Sequence, residues 1–268
     1  MHINSTAEQK TDFVEPRRNN YFYGQMMGVH QFEMQTHYHM AMHRRINRLI
    51  LGYGVACGLD VKKSDTKYPG IVVTSGFAID KIGWDLIVPE QTMPIPVPGD
   101  VLPPPPAAAP ESVKQEKEYK HKEHDVEFVH VVLCYYECKS DPAPILAGDC
   151  EGTVSCAPGA IRERYRVELR RGKAAPPSIA DGRFPDVIED GNLDYNRLVQ
   201  WVTEGCPAYP DDPCIPLANI CLRVEDDRYC FDERDININV RPIVYTNDLL
   251  FDLLMALLID SPRYRRGK

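Results

Sequence analysis

The chain lacks an apolar run long enough to cross a membrane. Its longest, Leu249–Ile259, has eleven residues and is interrupted by Asp252, whereas a spanning helix needs about 20. The first twenty residues are polar and have no apolar segment typical of a secretory signal. We therefore expect a cytoplasmic protein with no direct membrane span.

The chain also lacks an excess of basic residues. Its 31 Lys and Arg are outnumbered by 39 Asp and Glu, for a net charge of −8, whereas nucleic-acid-binding proteins carry a basic surface. No Gly-x-Ser-x-Gly elbow, phosphate-binding loop or kinase motif set is present. We therefore predict that the protein binds no nucleic acid and is not an enzyme.

The stretch from Asn20 to Val61 organises the first half of the chain. It opens with an aromatic–glycine turn, and apolar residues at helical spacing predict a helix beginning near Val29. The glycines Gly52, Gly54 and Gly58 resemble a dinucleotide-binding fingerprint, but they follow a helix and precede a strand, which is the reverse of the required order. We interpret them as a tight passage from helix to strand.

Strand patterns dominate the rest of the sequence. Short apolar runs bounded by Gly, Asp, Ser and Pro predict antiparallel strands up to residue 98, with Lys81-Ile82-Gly83 as a hairpin turn between the last two. The second half contains further strands and two helices. The last helix is predicted to begin with Asn247 as its cap. The predicted fold class is α+β: an N-terminal helix leading into short antiparallel β strands, a Pro-rich linker or insertion, and a second mixed β-rich half with a C-terminal helix.

These patterns divide the chain into four predicted segments. The segments are an extended polar arm (1–19), a helix plus a small antiparallel β unit (20–98), a Pro-rich and charged linker or insertion (99–124), and a β-rich half with the C-terminal helix (125–268).

Nine cysteines are many for a cytoplasmic chain. Without a secretion signal, disulfides are disfavoured, and buried thiols or a metal site become the expected uses. The candidate ligands for a structural zinc lie around two loops and are Cys138, Cys150, Cys156, Cys206 and Cys214. Their spacings are wider than those of a zinc knuckle, so unpaired thiols and disulfides remain open alternatives. No other cofactor is predicted.

The histidines give a second candidate for metal binding. His39 and His43 lie one helical turn apart, as do His30 and Glu33 with His37 beyond them. The alternatives to a structural protein are therefore a metal-dependent enzyme and a glycan- or peptide-binding module.

Several motifs of the first half together resemble a known pattern. Tyr21-Phe22-Tyr23-Gly24-Gln25-Met26-Met27, Asn47-Arg48 and the glycine-spaced exit to Val61 are similar to a poorly characterised bacterial family associated with phage-tail-like contractile injection systems. The resemblance covers roughly residues 20–90. It departs from the family pattern at Gln35-Thr36, where Glu-Gln is expected, and at Leu51, where His is expected.

This resemblance implies a structural role. The expected function is a structural or accessory subunit of such a particle, in its baseplate, outer shell or cap, that acts through protein–protein contacts. Other subunits of the particle and further copies of this chain in a homo-oligomer are the expected partners. The expected interface residues are Tyr21, Phe22, Tyr23, Gln25, Arg44, Arg45 and Arg48. An alternative is that the aromatic residues staple the start of the helix to the core.

Overall fold

The structure is a computed structural model that describes residues 14–65, 70–97, 101–102, 126–145, 156–177, 186–189, 192–206, 208–225 and 228–260. Its helices are α1 (Val29–Ile46), α2 (Tyr195–Thr203) and α3 (Asn247–Asp260). Together with the 13 strands found in these described residues, they confirm the predicted α+β class. The expected linker, residues 99–124, lies outside the described residues apart from 101–102, and so does most of the expected N-terminal arm.

The first half contains six short strands in two antiparallel sheets. The strands are β1 (Gly54–Gly58), β2 (Val61–Lys63), β3 (Gly70–Val73), β4 (Gly76–Ile79), β5 (Asp85–Val88) and β6 (Ile95–Pro96). One sheet has the order β1-β4-β5 and the other β2-β3-β6. The sequence predicted a single small antiparallel β unit here, whereas the structure has two separate sheets. The split occurs at Gly58 and Leu59, which have φ values of 64° and 57° and turn the chain out of the first sheet.

The second half is built on one larger sheet. Its strands are β7 (Val126–Pro144), β8 (Cys156–Arg171), β11 (Ile215–Glu225), β12 (Arg228–Cys230) and β13 (Ile236–Asn237), while β9 (Ile188–Glu189) and β10 (Asn192–Leu193) pair separately. The order is β12-β11-β7-β8, and β13 also pairs with β11. Strand β7 lies between β11 and β8, and the consecutive residues Val131, Val132, Leu133 and Cys134 are all buried, as expected of a central strand.

Strands β7 and β8 continue beyond the rest of this sheet. Strand β11 pairs with β7 only as far as Leu133, whereas the β7–β8 ladder runs on to Pro144 opposite Cys156. The part beyond Cys134 is therefore a two-stranded ribbon. An isolated ribbon of two strands is marginally stable in water, so its base needs support from other elements.

Both halves contribute to one continuous apolar core. Val55, Leu59 and Leu86 of the first half are in the same cluster of buried side chains as Leu133 and Ile215 of the second half. Strand β7 alternates, so that Val129, Val131 and Leu133 face this core. The core thus places the first-half sheets against the β7–β11 sheet.

The three helices lie at the surface. No residue of α1 is buried, but its half-buried side is formed by Met34, Tyr38, Ala41, Met42 and Arg45, the face that the apolar periodicity predicts, and Leu49 continues this face in a π-helical turn, Asn47–Leu51. Helix α3 has its cap one residue earlier than predicted: the Thr246 hydroxyl, and not the Asn247 side chain, accepts the hydrogen bond from the Leu249 N–H at 3.2 Å. Among the described residues, no helix combines the length and apolar character needed to cross a membrane.

The end of α1 is fixed to the β4–β5 hairpin by Asn47. This side chain is 3% exposed, and its Nδ2 donates to the Gly83 carbonyl and to Asp85 Oδ1, both at 2.9 Å. His43 Nε2 lies 3.0 Å from Asp85 Oδ2. Because a buried amide without partners costs about 1–3 kcal/mol, these contacts define the position of the helix end on the hairpin.

Gly83 is required at this contact for two reasons. Its φ of +94° is unfavourable for residues with a side chain. A Cβ at this position would also meet the Arg44 carbonyl oxygen of α1. The predicted hairpin turn Lys81-Ile82-Gly83 is confirmed, and its glycine allows helix and hairpin to approach closely.

The close approach at Gly83 can be tested with Gly83→Ala. We expect a loss of about 2–4 kcal/mol in the free energy of unfolding, since positive φ costs about 1 kcal/mol and overpacking against backbone adds about 1–3 kcal/mol. Gly172→Ala is the matched control, because Gly172 also has positive φ, +87°, but has open space around its Cβ position. Denaturant unfolding measures both. Equal losses in the two variants would contradict the close packing.

Candidate functional site

The N-terminal aromatic motif forms a braced turn. The Gln25 N–H donates to the Phe22 carbonyl at 3.1 Å, and the Phe22 N–H donates to Gln25 Oε1 at 3.3 Å. Gly24 between them has φ +80°. Gln25 therefore stabilises this turn, and its side-chain oxygen is hydrogen-bonded within the turn.

The aromatic rings of this turn point away from the core. Tyr21 is 58% exposed, Phe22 is 64% exposed and Tyr23 is fully exposed. Large exposed apolar side chains continue into α1. We define the N-terminal apolar surface as Tyr21, Phe22, Tyr23, Met26, Val29 and Phe32. The alternative that these rings staple the helix start to the core is wrong, because a staple would bury them.

The predicted interface arginines are held within the chain. The Arg44 guanidinium lies 4.5 Å from the Trp84 ring centroid, and that of Arg48 lies 4.2 Å from the Tyr209 ring centroid. Arg45 Nη1 lies 3.8 Å from the sulfur of Met42. All three arginines are half-buried. The Arg44 contact attaches the end of α1 to the β4–β5 hairpin and the Arg48 contact attaches the following turn to the loop of Tyr209, while the Arg45 contact lies within α1. That these arginines also contact a partner stays a prediction.

Arg44 begins a stack of three side chains that reaches the β7–β8 ribbon. The Trp84 ring stacks on Tyr135 with centroids 4.3 Å apart and planes 6° apart. The Tyr135 hydroxyl donates to Glu137 at 2.8 Å. Burial, and then this hydrogen bond, raises the pKa of Tyr135, so the phenol remains neutral. The stack supports the base of the ribbon.

A small cleft lies beside this stack. Its volume is about 260 Å³, and it is lined by His39, Met40, His43, Arg44, Trp84, Asp85 and Glu163. The His43–Asp85 pair has the geometry of a general base with its orienting carboxylate. No Ser, Thr or Cys is among the lining residues to serve as a nucleophile. The pair instead links α1 to β5.

The remaining predicted metal ligands of α1 are not brought together. His30, Glu33 and His37 are exposed, and His39 Nε2 contacts Gln35 Nε2 at 2.7 Å. In the described part of the chain, no three His, Cys, Asp or Glu side chains are grouped as metal ligands would be.

The predicted zinc cysteines are separated in the fold. Cys214 is bonded to Cys134 in a disulfide, so its sulfur is unavailable as a zinc ligand. Cys156 pairs opposite Pro144, six residues from Cys138 along β7, which separates the two thiols by roughly 20 Å. Cys206 is exposed, and Cys150 lies outside the described residues. The zinc prediction is therefore wrong for Cys214, and Cys138 and Cys156 cannot share one ion.

The disulfide also corrects the expectation that disulfides are disfavoured in this chain. The register of β7 with β11 explains the pairing, because Leu133 lies opposite Ile215 and the adjacent cysteines then face each other with Cα atoms 4.5 Å apart. Cys134, Cys214 and Val132 form a small second cluster of buried residues.

Comparison with known proteins assigns no family to the chain. No protein-family model matches the chain, and no curated protein matches it. A solved structure described as "The baseplate complex from the type VI secretion system" is a weak structural neighbour, with a TM-score of 0.33 and 12% identity over 94% of this chain and 69% of that chain. A likeness of this degree does not establish a shared fold.

The disulfide is tested by Cys214→Ala. We expect a loss of about 2–5 kcal/mol in the free energy of unfolding without reductant, because the bond links residues 80 positions apart and constrains the unfolded chain. Cys138→Ala, at a half-buried free thiol, should change stability by less than about 1 kcal/mol. Peptide mapping of the non-reduced protein should recover the linked Cys134 and Cys214 peptides. Their recovery only as free peptides would contradict the assignment.

Asp80, in the turn between β4 and β5, should make the stability of the protein depend on pH. Its carboxylate is 1% exposed and accepts hydrogen bonds from the Ile82 and Trp84 N–H groups. Burial raises the pKa of Asp80 from 3.8 to about 6, against the lowering effect of those bonds and of Arg44. The folded chain therefore binds this proton more tightly than the unfolded chain. The resulting stability is present below pH 3.8 and is lost as pH rises through about 6.

Asp80→Asn isolates this effect, because the amide oxygen still accepts the turn hydrogen bonds but does not titrate. From pH 5 to pH 7 we expect the native protein to lose about 1 kcal/mol more stability than the variant. Urea unfolding at the two pH values measures this difference. Parallel pH profiles for the two proteins would contradict a raised pKa at Asp80.

Proposed function

We propose that the protein is a structural or accessory subunit of a phage-tail-like contractile injection particle, in its baseplate, outer shell or cap. It binds neighbouring subunits through the N-terminal apolar surface. The single observation that carries this proposal is the exposure of the Tyr21–Tyr23 rings on a turn that is itself held by hydrogen bonds.

The size of this surface supports a role in protein binding. Its six side chains expose on the order of 900 Å² if a fully exposed large apolar side chain presents about 200 Å². That area exceeds the largest patch of most monomers, about 300–600 Å², and matches the roughly 800 Å² per partner of a standard interface. Aromatic side chains are also the residues that contribute most to such interfaces.

The different positions of the motif residues in the fold further support a role in protein binding. Asn47, Gly58 and Leu59 of the motif are used in the fold, at the helix end and at the turn between the first two sheets. Within the described residues, the side chains of the aromatic opening have no comparable role. A partner that covers these rings accounts for aromatic residues at the opening of the motif.

The proposal is tested in isolated particles. The native chain should co-purify with sheath, tube or baseplate proteins. The triple variant Tyr21→Ala, Phe22→Ala, Tyr23→Ala should bind at least about 30-fold more weakly, since losing an interface hot spot costs 2 kcal/mol or more. Quantitative mass spectrometry of purified particles measures the incorporation of each chain.

The matched control places three alanines on another exposed helix. Tyr195→Ala, Val199→Ala and Val202→Ala remove exposed apolar side chains of α2, and this variant should be incorporated like the native chain. A native chain that is absent from particles would contradict the proposed function. Equal incorporation of the aromatic variant would contradict the assignment of the surface.

A further inference from the structure

We propose that the Cys134–Cys214 bond is a reversible redox site, where a low-molecular-weight thiol exchanges with the disulfide and Arg170 stabilises the departing thiolate. The Arg170 guanidinium contacts both sulfur atoms: its Nη2 lies 3.2 Å from Cys214 Sγ and 3.7 Å from Cys134 Sγ. A disulfide that only links two strands has no need of a cation at its sulfur atoms. The inference goes beyond the proposed function and does not depend on it.

The bond is covered in part by the Arg170 side chain and lies apart from the main core. Cys134 and Cys214 form a separate small cluster with Val132, and the two cysteines are 3% and 6% exposed. The side chain of Arg170 is itself 33% exposed. Because such side chains change rotamer within nanoseconds, movement of Arg170 opens the sulfur atoms to a small thiol while the sheet stays folded.

The charged groups around the bond give a net positive surrounding. Arg170 Nη1 donates to Asp212 Oδ2 at 2.6 Å, and its Nη2 donates to Glu168 Oε2 at 3.1 Å. Arg166 Nη2 lies 2.6 Å from the other Glu168 oxygen, and Lys81 Nζ donates to the Asp212 carbonyl at 3.1 Å. Three cations thus face two carboxylates, and the cation in contact with sulfur is Arg170. A cation in this position lowers the pKa of a thiol.

The exchange takes two steps. A thiolate RS⁻ attacks Cys134 Sγ and forms a mixed disulfide, while the sulfur–sulfur bond breaks and Cys214 leaves as a thiolate beside Arg170. A second RS⁻ then attacks the RS sulfur of the mixed disulfide, which releases RSSR and leaves Cys134 as a thiolate that takes a proton from water. The protein gains two electrons from two RS⁻. Since a thiol of lower pKa leaves faster, Arg170 accelerates the first step.

The two cysteines stay close together after reduction, because contacts outside the bond hold them. Leu133 and Ile215, each adjacent to one of the cysteines, lie opposite each other in the pairing of β7 with β11. The Cys214 N–H also donates to Asp212 Oδ1 at 3.2 Å. The reduced thiols therefore remain in place for the reverse reaction with RSSR, which makes the site reversible.

The test measures how fast millimolar glutathione reduces the bond in the folded full-length chain, by alkylation and mass spectrometry of the Cys214 peptide. We expect Arg170→Gln to be reduced about threefold to tenfold more slowly, taking a pKa change of one to two at the leaving thiol and a Brønsted coefficient of about 0.5. The matched control is Arg166→Gln, which removes a cation that also pairs with Glu168. This control should be reduced at the native rate. Far-UV circular dichroism establishes that both variants are folded.

A second measurement needs no variant. In the reduced native chain, half of Cys214 should react with iodoacetamide at a pH of about 7.5 or lower, against about 8.5 for an ordinary thiol. Cys230 in the same digest is the internal control and should react at higher pH, because burial, and then its contact with Glu225, raises the pKa of that thiol.

Three results would overturn the redox site. One is a bond that glutathione reduces only after urea has unfolded the chain. Another is an Arg170→Gln variant that is reduced as fast as the native chain or faster. The third is a Cys214 alkylation midpoint at about pH 8.5 or above. All three are measured on the free chain, so they are distinguishable from a failure of the proposed function, which is measured in particles.

Discussion

The buried amide of Asn47 is the contact on which the arrangement of the first half depends. It joins the end of α1 to the Gly83 carbonyl and to Asp85, and so fixes the helix on the β4–β5 hairpin. The hairpin is in turn attached to the second half, because the Lys81 N–H donates to the Pro213 carbonyl at 3.2 Å. Asn47 therefore holds the helix on a hairpin that is itself hydrogen-bonded to the second half.

The same contact orders the neighbouring aromatic side chains. With α1 held against Gly83, Arg44 lies over Trp84, and Trp84 lies on Tyr135 at the base of the β7–β8 ribbon. The arginines at the helix end contribute to this packing through stacking on aromatic rings, which guanidinium groups favour. The fold thus uses Asn47 and Arg44 for its own packing, whereas the side chains of Tyr21, Phe22 and Tyr23 remain exposed in the described part of the chain.

Much of the local structure could be predicted from the sequence. Helical spacing predicted a helix beginning near Val29, where α1 begins, and Lys81-Ile82-Gly83 was recognisable as a turn between strands. The half-buried face of α1 also followed from its apolar period. These features depend on residues that are close together in the sequence, and the spacing of such residues can be read directly.

Features set by distant residues could not be predicted in this way. The Cys134–Cys214 bond depends on a strand register across 80 positions, and the expectation of reduced thiols pointed away from it. The inward use of Arg44 depends on where Trp84 lies. The exposure of the aromatic rings likewise depends on the absence of a covering element among the described residues, and no local pattern contains that information.

Amide hydrogen exchange of the chain, free and within isolated particles, tests the central claim most directly. If neighbouring subunits cover the N-terminal apolar surface, amides from Tyr21 to Phe32 should exchange at least about tenfold more slowly in the particle. Amides of β1, already paired with β4, should exchange at the same rate in both states. Equal exchange of residues 21–32 in the free and assembled chain would contradict the account.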